Sequence, residues 1–345
     1  MAPGRWKRTT IGALKLVIAV VVLGAVGRHV IRVLADLRDR GARVEFAPGW
    51  LAASGLLYLA GLCACGFFYQ RVLRESAGPI GIPPALRAYL VSHLGKYVPG
   101  KAMVVVLRVG LSTPFGASTT GATAATFYET LVMMASGCLI AAAGFACTNG
   151  PARVGVVAPH WGRFEIRMEY VIALASLLLG LGFLLLTAPP VFGRTAGLVR
   201  KSLAGARPEL LPRFSWRLLG EGLLLSAAGW ILLGASQLAV IHSIRDGVQG
   251  TTITLGLLAL VVAGVAFATA AGFVVAVLPG GLGVREGVLM SVLASTIGAD
   301  RSVVAALVLR LVWVAAEGVA ALAVLPWLKR AAATPTEPAS KASIP

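Results

Sequence analysis

Apolar residues run through this chain in blocks too long and too continuous for the one-sided faces of a soluble fold. A membrane-spanning helix needs about 20 mostly apolar residues. Six stretches satisfy that requirement and read as full spans: Thr10 to Gly27, Pro48 to Tyr69, Phe115 to Cys147, Tyr170 to Thr187, Leu218 to His242 and Ser302 to Leu328. Two further apolar stretches are interrupted. Pro84 to Leu111 contains Gly95-Lys-Tyr-Val-Pro-Gly-Lys101, and Thr251 to Ile297 contains Pro279-Gly-Gly-Leu-Gly-Val-Arg-Glu-Gly287. Proline removes a helical donor and glycine resists helix formation, so each string breaks the hydrophobic segment that holds it. Non-helical backbone at membrane depth survives only where protein or a wet cavity surrounds it. Both breaks are therefore candidate site elements.

Treated as re-entrant hairpins that leave from the side they entered, the broken stretches divide the chain into two halves. These cover about 10–147 and 170–328, each with three full spans and one hairpin. An odd number of crossings inverts the second half relative to the first. Pro99-Gly100 and Pro279-Gly280 stand about half the chain apart, and Glu129 follows the first pair at nearly the spacing with which Arg310 follows the second. That positional symmetry is the pattern of inverted-repeat transporters. The predicted fold class is an all-α polytopic membrane protein of about six full spans plus two broken re-entrant hairpins. One transmembrane domain covers 1–328, and 329–345, rich in Ala, Thr, Ser and Pro, reads as a disordered tail.

Composition agrees with this pattern. Of 345 residues, 57% are hydrophobic and 13% charged, with mean hydropathy +0.84, against about 25% charged in soluble domains. An ordinary soluble enzyme, a disordered chain and a disulfide scaffold are excluded. The 31 Lys and Arg against 14 Asp and Glu give a net charge of +17. These bases sit mostly in short loops between apolar runs, so they read as topology signals and lipid-headgroup contacts, with no nucleic-acid partner. They favour the side that holds both termini, which places both termini in the cytoplasm of a multi-pass cell-membrane protein. The apolar run after Arg5, Lys7 and Arg8 lacks a convincing cleavage site and reads as a retained first helix. Val30 to Leu37 is apolar at helical spacing and is expected to lie along the interface. Trp6, Trp50, Trp161, Trp216, Trp313 and Trp327 read as an aromatic belt.

Motifs for covalent chemistry are missing from the sequence. Cys63, Cys65, Cys138 and Cys147 lack metal or disulfide spacing and read as small buried hydrophobes. No G-x-x-x-x-G-K-[ST] or G-x-S-x-G occurs, and Gly281, Gly283 and Gly287 are spaced one residue too widely for a dinucleotide fingerprint. No cofactor and no metal are expected.

Ionisable groups inside a membrane cost at least about 2.5–3.5 kcal/mol at mid-depth, so each invites an explanation. Lys96, Lys101 and Arg108 surround the first break, beside His93 and Tyr97. Arg285 and Glu286 sit on the second, and Glu129, Glu221, Arg310 and Glu317 lie within spans. On a functional reading, Lys96, Lys101, Arg108 and Arg285 converge from two hairpins on a phosphate. Arginine offers a planar fork, lysine a point charge and Gly-rich turns free N–H groups. On a structural reading the charges pair with one another, Glu129 with Arg310 and Glu286 with Arg285 or Lys101. Glu129, Glu286, Arg310 and Glu317 are candidates for gating or proton coupling, Glu317 lying about two helical turns from Arg310. Glu221, near a basic loop, is expected to snorkel.

The strings Ser92-His-Leu-Gly-Lys-Tyr-Val-Pro-Gly-Lys101 and Leu278-Pro-Gly-Gly-Leu-Gly-Val-Arg-Glu-Gly287 occur together with Arg108, Gly110, Tyr128-Glu129 and Arg310. In this combination they resemble the lysylphosphatidylglycerol synthase transmembrane, or flippase-like, family over roughly Lys15 to Leu328. The resemblance implies movement of lipids or lipid-linked precursors across a bilayer, in some members fused to a transferase domain. The short segment after Leu328 departs from those fused members, so the expected function is transport and not synthesis. The expected substrate is an anionic phospholipid or polyprenyl phosphate, moved downhill or with an ion, Glu129 or Glu317 carrying a proton. Two rival readings are an accessory subunit that presents a lipid carrier to a separate transferase, and an enzyme with its site between the hairpins.

Overall fold

Prolines and hydroxyl caps set where the helices begin. The computed structural model describes residues 45–97, 102–148, 153–158, 162–202, 214–245, 253–275 and 283–333, with a few isolated positions before 45. Helix α1 (Pro48–Ser76) opens on a proline, whose fixed φ suits a first helical turn. It leads into α2 (Ile82–Ser92), a 3-10 turn (His93–Tyr97) and α3 (Ala102–Ser112). Ser118 Oγ accepts the Gly121 N–H at 3.1 Å and caps α4 (Thr119–Cys147). Then come α5 (Met168–Thr187), α6 (Pro189–Ser202) and α7 (Trp216–Ser243), the last capped by Ser215 in the same way. Thr254 caps α8 (Leu255–Val274), which precedes α9 (Val284–Ile297) and α10 (Ala299–Ala333). The strands are short: β1 (Glu45–Phe46), β2 (Arg153–Ala158), β3 (Gly162–Arg167) and β4 (Ile244–Arg245). β1 pairs antiparallel with β4 and β2 with β3. The β1–β4 pair joins the start of α1 to the end of α7, and Ala47 N–H donates to Ser243 O beside it at 2.8 Å.

Six of these helices are long and apolar enough to cross a membrane: α1, α4, α5, α7, α8 and the Ala299–Val324 portion of α10. The chain is a multi-pass, all-α membrane protein. α7 packs against α1, α4 and α8, while α5 lies outside α4. Leu174, Leu178, Leu181 and Leu185 follow one face of α5 and are exposed, as a helix facing lipid requires.

Several elements differ from the sequence expectation. The span expected over Thr10 to Gly27 lies outside the described residues. The first arm of the second broken stretch, α8, is a 20-residue helix of spanning length, not a short hairpin arm. The unbroken apolar run from Leu255 to Val274 explains it, because the breakers begin only at Pro279. α10 continues through Lys329 to Ala333, so the expected disordered tail begins inside a helix, and 334–345 lie outside the described residues. Between the expected spans that end at Thr187 and begin at Leu218, where only a basic connection was expected, the chain forms the further helix α6.

The two broken stretches occupy opposite ends of the bundle. Ser118 N–H donates to Ala77 O at 3.0 Å, so the chain between them departs and returns at one end. Its arms α2 and α3 have 11 residues each, about 16 Å at 1.5 Å per residue. Gly95 lets the 3-10 turn press onto α3: a Cβ there would stand 2.7 Å from Val104 N and 2.8 Å from the Met103 carbonyl carbon. At the other end, the start of α8 (Thr254, Leu257) and the end of α9 (Ser295, Thr296) share a cavity with the end of α4 and the start of α5. α4 therefore begins where the first stretch opens and ends where the second does. The strings Val98 to Lys101 and Ala276 to Leu282 lie outside the described residues.

Candidate functional site

Two groups of buried charges form where the hairpins meet the spans, and they differ in how fully they are satisfied. The first is closed. Arg108 on α3 is 2% exposed and ion-pairs with Glu129 of α4 at 2.6 Å. Its Nε donates to Ser92 Oγ at 3.1 Å, and its guanidinium lies 4.2 Å from the Tyr89 ring centroid and 4.9 Å from that of Tyr69. Tyr89 OH donates to the other Glu129 oxygen at 2.8 Å. Every charge here has an opposite charge and hydrogen bonds, as low-dielectric surroundings demand. This cluster ties α2, α3 and α4 to α1 and leaves no cation free for a ligand.

The second group lies in a cleft lined by Lys96, Tyr97, Arg285, Glu286, Arg310 and Trp313. Lys96 sits on the 3-10 turn at the tip of the first hairpin, and Arg285 and Glu286 sit in the first turn of α9. Gly283, at φ +80°, turns the chain into α9, and its N–H donates to Glu286 Oε2 at 2.8 Å. The other Glu286 oxygen ion-pairs with Arg310 of α10. Lys96 ion-pairs with Glu317, whose same oxygen accepts Tyr58 OH, and Lys96 Nζ also reaches Tyr58 OH at 3.1 Å. Tyr58 stacks on Trp313 with centroids 4.4 Å apart, and Arg285 lies over the Trp313 ring at 4.9 Å. Trp313 is held from behind by its Nε1–H donating to Ser236 Oγ at 2.9 Å, and Ser236 in turn bonds Ser54 at 2.9 Å.

Among the described residues three cations face two carboxylates in this cleft, one positive charge in excess. Among the described residues Arg285 forms no ion pair. Arg310 Nη2 and Glu317 Oε2 are buried without hydrogen-bond partners. The unfilled Arg310 donor, beside an uncompensated charge, can take an anionic oxygen. Among the described residues, no group of three His, Cys, Asp or Glu side chains is placed to hold a metal ion.

The structure thus brings together Lys96, Arg285, Glu286, Arg310 and Glu317, and sets Arg108 and Glu129 apart. Lys101 lies outside the described residues. The expected pairing of Glu129 with Arg310 is replaced by Glu129 with Arg108 and Arg310 with Glu286, because α3 packs on α4 and α9 on α10. Glu317 answers Lys96 and Tyr58, not Arg310. Glu221 pairs with Arg71 and Arg217, each at 3.0 Å, near the start of α7. Trp313 is 4% exposed and belongs to the cleft floor, not to an interfacial belt. Its spacing carried that signal, since Arg310, Trp313 and Glu317 share one helical face. Tyr58 and Tyr89, the hydroxyl donors to the two glutamates, were not singled out, because an apolar span with a tyrosine has no distinguishing pattern.

Among known families, the model described as the lysylphosphatidylglycerol synthase TM region matches residues 12–317. No curated protein matches the chain.

Proposed function

The chain belongs to the lysylphosphatidylglycerol synthase TM-region family, and from that membership and the unbalanced cleft we propose that it transports a lipid with an anionic headgroup across the cell membrane. The observation that carries this reading is the excess positive charge at Arg285 beside the buried, unpartnered Nη2 of Arg310. A cation held at membrane depth without a counter-charge is costly unless a ligand supplies one. A phosphate does so with two non-bridging oxygens, one for each guanidinium.

The first broken stretch is, on this reading, re-entrant, and the second reaches the full depth through α8, of spanning length, and returns through the 14-residue α9. The arms of the first reach about 16 Å, half of a hydrocarbon core about 30 Å thick. They enter from the cytoplasmic face and the second stretch from the opposite face, and Lys96 and Arg285 bring the two breaks to one cleft, as in an inverted repeat. The headgroup passes between the tips while the acyl or prenyl chains stay in lipid. Lys96 and Arg285 hold the phosphate, and the Arg310–Glu286 pair ties the second tip to α10. The chain acts as a transporter, not as an enzyme.

The test is translocation of labelled phosphatidylglycerol and labelled polyprenyl phosphate in liposomes holding the purified protein. Wild type moves at least one of the two, and Arg285→Gln slows it about tenfold or more, the worth of a charged hydrogen bond. Folded wild-type protein that moves neither lipid, or an Arg285→Gln variant as fast as wild type, overturns the reading. Activity that appears only with an added transferase supports an accessory subunit instead.

A further inference from the structure

Of the three carboxylates in the two buried charge clusters, Glu317 is the one held by a lysine and not by an arginine. Glu129 is held by Arg108, whose guanidinium is clamped between Tyr69 and Tyr89 and bonded to Ser92. Glu286 is held by Arg310 and by the N–H of Gly283. An arginine stays charged in a protein. Glu317, by contrast, faces Lys96, a flexible ammonium on the tip of the first hairpin. The Lys96 side chain is 21% exposed and lines the cleft, whereas that of Glu317 is 0% exposed. One Glu317 oxygen takes both of its donors, Lys96 and Tyr58, and the other has none.

We propose that Glu317 is a proton-binding site coupled to the anion site: a phosphate in the cleft draws Lys96 away, and Glu317 takes a proton in its place. This rests on the transport reading above. Lys96 can serve either carboxylate or phosphate, but it cannot fully neutralise both. Once Lys96 turns to the phosphate, an ionised Glu317 is a buried charge without a counter-ion, and such a group neutralises. The proton comes from water through the cleft, and the resulting O–H supplies a donor where Tyr58 remains in place. The surrounding groups favour this exchange. Tyr58 faces Glu317 from α1, and Lys96 and Tyr97 from the hairpin tip, while His93 lies near Lys96, and Arg285, Glu286 and Arg310 line the cleft beside Lys96 and Tyr97. Arg310 is committed to Glu286 and Arg285 lies over Trp313, so neither replaces Lys96 at Glu317. Anion and proton thus occupy the site together, and transport becomes a proton–anion symport.

The full chain in detergent is titrated with dihexanoyl phosphatidylglycerol by calorimetry in buffers of different ionisation enthalpy, which counts protons taken up on binding. Wild type takes up about one proton per lipid, and its affinity rises as pH falls, by at most about tenfold per pH unit. Glu317→Gln binds without proton uptake. Lys96→Gln is a second variant: it binds more weakly through the two arginines and also without uptake, because no lysine is there to be drawn from Glu317. Wild type also gains the infrared band of a protonated carboxyl on binding, which needs no variant. Binding without uptake in wild type, or uptake that survives Glu317→Gln, overturns proton coupling and leaves the anion site standing. No binding by folded wild type overturns both.

Discussion

Two arginines of like chemistry have opposite standing in this protein, and their surroundings decide which. Arg108 is enclosed by a carboxylate, a hydroxyl and two aromatic faces. Arg285 has a tryptophan face and an open cleft. Breaking a buried ion pair from one side leaves an uncompensated charge and costs about 3–5 kcal/mol. Arg108→Met is therefore expected to lower the unfolding temperature of the detergent-purified protein sharply, and Arg108→Met with Glu129→Leu to recover most of the loss. Arg285→Gln removes a cation–π contact and shifts stability by about 1 kcal/mol or less while it weakens anion binding about tenfold or more. Thermal unfolding of the four proteins separates the roles, and an Arg108→Met variant as stable as Arg285→Gln contradicts them. The sequence marked both arginines as exceptional through their apolar flanks, but it could not show which one is enclosed. Enclosure comes from residues such as Tyr69, Tyr89 and Ser92, distant in the chain or unremarkable in composition.

At the level of elements, the long apolar blocks were legible because membrane thickness sets helix length directly. Breaks were legible because proline and glycine act locally. Packing was not: that α3 meets α4 and α9 meets α10 follows from tertiary contacts, and with it went the choice of ion pairs. α6 was missed because a basic, mixed segment carries no spanning signal. Gly95 is where local conformation and packing coincide. A Cβ there would stand at 2.7 Å from Val104 N, which is backbone and cannot swing aside. Gly95→Val is expected to cost about 1–3 kcal/mol, as other overpacked sites do, and to move Lys96 away from Glu317. Lower unfolding temperature together with lost lipid transport supports this. A variant with wild-type stability and transport shows that the turn does not need the glycine.

At the scale of the whole molecule, the proposed transport requires the two broken stretches to open at opposite ends while Lys96 and Arg285 share one cleft. The ends of the first meet at Ala77 and Ser118, and those of the second share a cavity with the end of α4. α4 spans the distance between these openings with 29 residues, enough to cross a membrane. On the proposed transport reading, an anion held by Lys96 from one tip and Arg285 from the other reaches either face without breaking the α1–α7 scaffold. Accessibility from the two sides of a membrane tests this arrangement. With Cys63 and Cys147 replaced by serine, single cysteines at exposed Gly81, at the mouth of the first stretch, and exposed Ser295, at the mouth of the second, provide the probes. A membrane-impermeant maleimide applied to sealed cells is expected to label Ser295→Cys and not Gly81→Cys, with the reverse in inside-out vesicles. Labelling of both from the same face would place both mouths on one side of the membrane. The tips would then no longer connect two compartments, and the cleft would be a binding site without a path across.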